Sequence, residues 1–331
     1  MTGDQRGGPV DGPVMLSTWS FGVQAIDAGW PTLDRGGEAI DAIEAACRAI
    51  EADPAVDSVG LGGLPDALGQ VTLDAAIMLG PGRAAGVADI RHFVNPVSIA
   101  RRVMERTTHR LLVGPDAERF AASEGFERVE TLLTDDARAV WERWRDDPTI
   151  LDDDRYRGWI PPRNVEELRG VDRGLHDTVC VMARDASGVI GAGCTTSGMA
   201  FKTPGRVGDA AIIGHALYVD PKVGAAIGTG TGELFMSTCA SFFAVERLRA
   251  GDSPAQASIA VIERIAESIP PHPDHQAAAI LMTPDGAWSA AALRPGFRAA
   301  FRTRSSAALV EPDFVLIPEE PKRGAHESHL L

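Results

Sequence analysis

The sequence predicts an α+β protein in which sheets pack against each other and helices cover the outside. Three observations carry this. Predicted strands come in runs, with helices in pairs, rather than in strict βαβ alternation. The 331 residues are 44% hydrophobic and 24% charged, enough for one large domain or two ordinary ones with an ample core. No internal repeat is apparent.

The elements follow in order. Residues 14–19 read as a first strand. A helix is predicted over 37–51, with Ile40, Ile43, Cys47 and Ile50 on one face at a spacing of three to four. Residues 57–63 form a glycine-rich turn. Strands are expected at 71–78 and 85–89, a helix at 96–107 and a short strand at 111–113. Helical segments follow at 117–123 and 136–145. From 146 to 173 the composition turns charged and proline-bearing, with Asp152-Asp153-Asp154 and Pro161-Pro162, which predicts a long mobile loop. The second half reads as strands at 178–184, 188–195, 212–218 and 224–229, helices at 231–249 and 254–268, then strands at 277–283, 287–292 and 299–302. The tail from Glu311 onward is rich in proline and charge and reads as loosely ordered.

Composition excludes several classes. The formal net charge is −14 and the arginines are scattered, so no basic stripe suits a nucleic acid. No stretch approaches the roughly 18 unbroken apolar residues of a membrane span, and the first twenty residues lack the apolar run of a secretory signal. Cys47, Cys180, Cys194 and Cys239 are widely spaced without a CxxC pair, which predicts buried free thiols and a reducing, cytoplasmic setting. His272-Pro273-Asp274-His275 reads as a turn rather than a metal site. No cofactor is expected: Gly228-Thr229-Gly230-Thr231-Gly232-Glu233 lacks the GxGxxG spacing, and no GxxxxGK[ST] occurs.

The chemistry gathers at a few points. Gly174-Leu175-His176-Asp177-Thr178 runs from a turn-prone segment into the strand Val179-Cys180-Val181-Met182-Ala183. A cut between Asp177 and Thr178 would leave a threonine with both a hydroxyl nucleophile and a free α-amine. Such an amine has a pKa near ~7.7–8 and serves as a base near neutral pH. Threonine is also simply common where strands begin. Arg206 and Asp209 stand three apart in a glycine-flanked loop. They suit a zwitterion, guanidinium to carboxylate and carboxylate to ammonium, although a surface ion pair is the plainer reading of those two residues alone. The loop of residues 228–233, between a strand and a helix, suits an oxyanion hole or anion site. Trp19 ends the first strand and fits either core or a pocket wall.

The chain resembles the glycosylasparaginases, members of the N-terminal nucleophile hydrolase superfamily. The pieces that carry the resemblance run through most of the chain. They are Thr18-Trp19-x-Phe21, Ser58-Val59-Gly60-x-Gly62-Gly63, Thr72-Leu73-Asp74-Ala75, Ile77-Met78, Thr107-Thr108-His109, His176-Asp177-Thr178, Gly205-Arg206-Val207-Gly208-Asp209 and Thr229-Gly230-x-Gly232-Glu233. The resemblance implies a four-layer αββα sandwich forming one domain over residues 1–331. It also implies self-cleavage into an α chain, 1–177, and a β chain, 178–331, by attack of Thr178 on the Asp177 carbonyl. By the same resemblance Thr178 is the catalytic nucleophile and Thr196 tunes it. Thr229 and Gly230 form the oxyanion hole, Arg206 and Asp209 hold the substrate's α-carboxylate and α-ammonium, and Trp19 and Ser58 line the site. The implied substrate is N4-(β-N-acetylglucosaminyl)-L-asparagine, handled by a homo-oligomer of αβ units.

Three positions depart from that pattern beside the pocket: Ser197 for asparagine, Ala210 for serine, and Gly214-His215-Ala216 for Gly-Ala-Gly. Two other readings therefore stand beside the first. One is an L-asparaginase or β-aspartyl peptidase on the same scaffold. The other is an uncleaved amino-acid-binding protein.

Overall fold

The computed structural model describes residues 7–146, 178–271 and 275–318. The segment 146–173 therefore lies, but for Asp146, outside the described residues, as do Asp177, His272 and Asp274.

The first half begins with strand β1 (Val14–Thr18) and helices α1 (Gly22–Asp34) and α2 (Ala39–Glu51). Strands β2 (Leu73–Gly80) and β3 (Arg83–Ile90), helix α3 (Pro96–Arg106), strand β4 (Leu111–Val113) and helices α4 (Gly114–Ser123) and α5 (Asp135–Arg145) follow. The second half holds β5 (Val179–Arg184), β6 (Ile190–Thr196), β7 (Leu217–Asp220) and β8 (Gly224–Gly230). Helices α6 (Gly232–Thr238), α7 (Ala240–Arg249) and α8 (Pro254–Ser268) come next. The chain ends with β9 (Ala277–Met282), β10 (Trp288–Ala292), β11 (Ala299–Thr303), β12 (Ala307–Val310) and β13 (Phe314–Val315).

These strands make two mixed sheets, ordered β12-β11-β1-β5-β6-β2-β3-β4 and β13-β10-β9-β8-β7. Pairing is antiparallel except for β3 with β4 and β10 with β13.

Strand alternation sorts side chains among three cores. On β5, Val179, Val181 and Ala183 face a core shared with residues of α1 to α5, such as Ile43, Val97 and Trp144. Cys180 and Met182 face the opposite way, into a core shared with Ile227, Ile280 and Trp288 of the second sheet. Leu281 and Ala226 of the second sheet meet Phe235, Val245 and Ile262 of its helices in a third core. The α+β expectation is met.

Several details differ from the sequence reading. Helix α1 was not predicted, because Gly22, Gly29 and Pro31 interrupt its pattern. Tertiary packing decides instead: a Cβ at Gly29 would lie 2.5 Å from the Ala42 carbonyl, so only glycine lets α1 approach α2 this closely. The helix expected over 231–249 breaks at Cys239, whose left-handed φ of 48° turns α6 into α7. The strand expected at 212–218 starts only at Leu217. Residues 311–318 are tied down, since β13 pairs with β10 and the Leu316 and Ile317 amides bond to the Ala292 and Leu293 carbonyls.

The free-thiol expectation is corrected for two of the four cysteines. Cys180 and Cys194 face each other directly across β5 and β6, with Cα atoms 4.2 Å apart, and pair as a disulfide. Their separation of 14 residues conceals a hairpin register that sequence spacing does not reveal. Cys47 is free and buried, as expected; Cys239 is free but exposed. Among the described residues no helix is long and apolar enough to cross a membrane.

One buried carboxylate ties α2 to the start of α3. Glu51, at the end of α2, is fully buried and accepts hydrogen bonds from the Asn95 side chain (3.1 Å) and the Val97 amide (3.0 Å) at the start of α3. The Gly60 backbone passes so close that an added Cβ would lie 2.0 Å from the Glu51 carbonyl oxygen. Gly60 also has a φ of +64°. Glycine is therefore required where the chain turns after Ser58. Burial raises the Glu51 pKa from 4.5 to about 7, against the lowering effects of Thr195, Val97, Asn95 and Arg48.

A carboxyl whose folded pKa is raised favours folding most below its unfolded pKa, and that contribution fades as pH rises from about 4.5 to about 7. Glu51→Gln has no such titration. Its Tm relative to the parent is expected to become more favourable, by a few degrees, between pH 5 and pH 8. A difference independent of pH would refute this.

Candidate active site

Period-two alternation aims a set of polar side chains at one end of the layer between the sheets. Thr229 shares the face of Ala225 and Ile227 on β8. Thr196 shares that of Cys194 on β6, and Thr18 that of Leu16 on β1. Continued one residue before β5, the face of Cys180 is also that of Thr178. The β5–β6 register, Val179 opposite Thr195, likewise sets Thr178 opposite Thr196.

Thr178 is 5% exposed. Its carbonyl accepts two hydroxyl hydrogen bonds, from Thr18 (2.8 Å) and from Thr229 (3.2 Å). The Thr18 hydroxyl in turn accepts the Cys180 amide (3.0 Å), and the Thr229 hydroxyl accepts the Trp19 indole N–H (2.8 Å). Residues far apart in sequence thus converge on the Thr178 backbone from both sheets. Trp19 is 5% exposed and packs edge-on to Phe297, with centroids 5.2 Å apart. Its φ of 63° is uncommon for a bulky residue and is the kind of backbone strain that collects at functional sites.

Thr196 and Ser58 belong together. The Thr196 hydroxyl donates to the Ser58 carbonyl (3.2 Å) and accepts the Gly198 amide (2.9 Å), while the Ser197 amide also donates to Ser58 (2.8 Å). The Thr196 proton is therefore directed to Ser58 here. Gly230 ends β8 with a φ of +113°, and an added Cβ would lie 2.2 Å from the Gln276 carbonyl oxygen. No other residue fits there without moving the backbone.

Arg206 and Asp209 occupy the loop after β6. The Arg206 guanidinium is forked by Glu233 of α6, Nε to Oε1 and Nη2 to Oε2, both at 2.9 Å. Asp209 is 4% exposed, and its Oδ2 has no hydrogen-bond partner. Burial raises its pKa from 3.8 to about 7, opposed by Arg206 and reinforced by Glu233 and Asp74. An unsatisfied buried carboxylate oxygen is costly unless a cation arrives. A single point, the Cβ position of Gly232, lies 2.7 Å from Asp209 Oδ1 and 3.0 Å from Arg206 Nη2, so the two groups are adjacent.

Three supporting residues were not assigned from sequence. Asp74 accepts the Asp89 amide (3.0 Å) and the Gly208 amide (3.3 Å), which anchors the loop between Arg206 and Asp209. The Lys202 ammonium is 4% exposed and donates to the Ser197 (2.9 Å) and Thr72 (3.3 Å) carbonyls; burial lowers its pKa. Thr18 lies inside a noted motif, yet only the fold reveals its contact with Thr178. A charged residue among apolar neighbours, as Lys202 stands after Phe201, was the available signal.

The Asparaginase family pattern (Asparaginase_2) matches residues 16–310. The chain belongs to this family. Among its relatives, the N(4)-(Beta-N-acetylglucosaminyl)-L-asparaginase of Elizabethkingia miricola is 40% identical over 308 residues, covering 92% of this chain and 85% of the relative. Rattus norvegicus has a protein of the same name, 40% identical over 272 residues, with 78% of each chain covered. The Mus musculus counterpart is 38% identical over 295 residues, with 84% of each covered. The match begins at Leu16 on β1 and ends at Val310 on β12, so it takes in Thr178 together with Thr18, Trp19 and Thr229.

Asp209 gives a pH signature. Its charged form, which a ligand ammonium requires, prevails only above about pH 7. Arg206 from its own loop, Glu233 from α6 and Asp74 from β2 are the charges facing it. Binding of L-aspartate as a zwitterionic probe is expected to weaken by roughly tenfold per unit below pH 7. Calorimetry across pH 5–8 checks this; a flat profile contradicts it, and Asp209→Asn is expected to abolish the dependence.

Proposed function

We propose that this asparaginase-family protein is a self-processing amidohydrolase of the N-terminal nucleophile type, acting on N4-(β-N-acetylglucosaminyl)-L-asparagine. The observation that carries the reading is the convergence on Thr178: Thr18, Thr229 and, through Thr229, Trp19 meet at the one residue whose release would create both nucleophile and base. The names of its relatives point to the same substrate. Two sheets with a shared core between them and helical cores on either side are consistent with an αββα sandwich as a single domain.

In processing, the Thr178 hydroxyl attacks the Asp177 carbonyl and displaces the amide nitrogen. The ester so formed is hydrolysed, giving chains 1–177 and 178–331. In turnover, the same hydroxyl attacks the side-chain amide carbon of the substrate as the new α-amine takes its proton. The tetrahedral oxyanion is met by the Thr229 hydroxyl, turned from the Thr178 carbonyl, and by the Gly230 amide. Each such donor typically lowers the barrier by ~2.7–4 kcal/mol.

Collapse expels the glycosylamine with a proton from the ammonium and leaves a β-aspartyl ester on Thr178. Water, deprotonated by the amine, then releases aspartate. Arg206 and Asp209 hold the α-carboxylate and α-ammonium throughout, and Thr196 and Ser58 fix the strand opposite the nucleophile. The working unit is a homo-oligomer of αβ units.

The test is hydrolysis of the glycoasparagine. Thr178→Ala is expected to lower kcat by at least about 1,000-fold and to stay uncut. Arg206→Ala is expected to raise KM by roughly 100-fold with a smaller change in kcat. Residual full activity in Thr178→Ala would end the assignment. A kcat/KM clearly higher on β-aspartyl dipeptides or asparagine would move the substrate to the related peptidase or asparaginase reading. An uncut chain that binds aspartate without turnover would favour the binding protein.

A further inference from the structure

We propose that Glu233 is a specificity-determining residue: its fixed negative charge on Arg206 makes the clamp select substrates that carry an α-ammonium beside the carboxylate. This rests on the proposed amidohydrolase reading of Arg206 and Asp209 and goes beyond it.

Glu233 takes one edge of the guanidinium, Nε and Nη2. The remaining edge, with Nη1, is bordered by two glycines: added Cβ atoms at Gly198 and Gly208 would lie 3.0 and 2.9 Å from Nη1. A side chain at 198 or 208 would crowd Nη1, so glycine at both positions keeps that edge for a ligand carboxylate while Glu233 holds the other. Glu233 stands in the first turn of α6, right after the donor loop, and is 52% exposed, whereas Arg206 is 16% exposed.

The charge balance follows. Arg206 alone would attract any carboxylate. Paired with Glu233 it is close to neutral, and ionised Asp209 makes the trio net negative. A bare carboxylate gains little there, whereas a zwitterion brings an ammonium to the unpartnered Asp209 oxygen. The same negative field from Glu233 contributes to the raised pKa of Asp209, together with burial and Asp74. Lys202, the other nearby cation, interacts with Arg206 and Asp74, and its ammonium is bonded to two carbonyls. Glu233 is thus the charge that a substitution removes without touching a group assigned to the reacting atoms.

The experiment compares kcat/KM for L-asparagine β-anilide with that for its des-amino analogue, N-phenylsuccinamic acid, in the processed enzyme and in Glu233→Gln and Glu233→Asp. The ratio of the two cancels any general loss of activity. Glu233→Gln is expected to lower the preference for the amino substrate by about tenfold or more and to move the acid limb of kcat/KM to lower pH. Glu233→Asp, which keeps the charge, is expected to retain most of the preference. A bracing role alone would slow both substrates equally and leave the ratio unchanged, which overturns the inference. So does a ratio that rises in Glu233→Gln. A parent enzyme that hydrolyses neither anilide and fails to bind L-aspartate would instead remove the amidohydrolase reading on which the inference stands.

Discussion

The hydrogen bonds received by the Thr178 carbonyl are the constraint on which the rest of the arrangement depends. They come from β1 through Thr18 and from β8 through Thr229, so they join the two sheets at the residue that opens β5. A neutral hydrogen bond is worth only about 0.5–1.5 kcal/mol net. Geometry is the larger consequence. Both hydroxyls are buried and both accept a second hydrogen bond, Thr18 from the Cys180 amide and Thr229 from the Trp19 indole, so their oxygens are fixed in place. The strained Trp19 backbone persists because its indole is held by Thr229 and Phe297 and its amide by the Arg298 carbonyl.

Electrostatics divides the site in two. Around Thr178 the described partners are hydroxyls, amides and an indole. The charges lie beyond, in the loop after β6 and the first turn of α6: Arg206, Asp209, Glu233, Lys202 and Asp74. Burial works on them in opposite senses, raising the Asp209 carboxyl and lowering the Lys202 ammonium, as it must when each charge is deprived of water. Glycines 198, 208 and 232 bring backbone, rather than side chain, up to the guanidinium and carboxylate. Small residues therefore define this recognition space as much as charged ones do.

Much of this was legible in the sequence. Hydrophobic alternation exposed the strands, and the spacing of Ile40, Ile43, Cys47 and Ile50 exposed α2. The clustered Thr, Gly and Arg motifs pointed to the residues of the candidate site. What stayed hidden required register or packing. The facing of Cys180 and Cys194 depends on hairpin register. The existence of α1 depends on Gly29 fitting against Ala42. The break at Cys239 depends on a left-handed residue with no glycine to announce it. Glu233 was visible as a letter in the donor loop, but its grip on Arg206, 27 residues away, exists only once α6 folds back over the loop.

The central claim is that Thr178 becomes a free N-terminus. Intact mass measurement of freshly purified protein under denaturing conditions tests it most directly. The account predicts two fragments, the second beginning at Thr178. A single full-length mass, persisting in protein that hydrolyses the glycoasparagine, would contradict it.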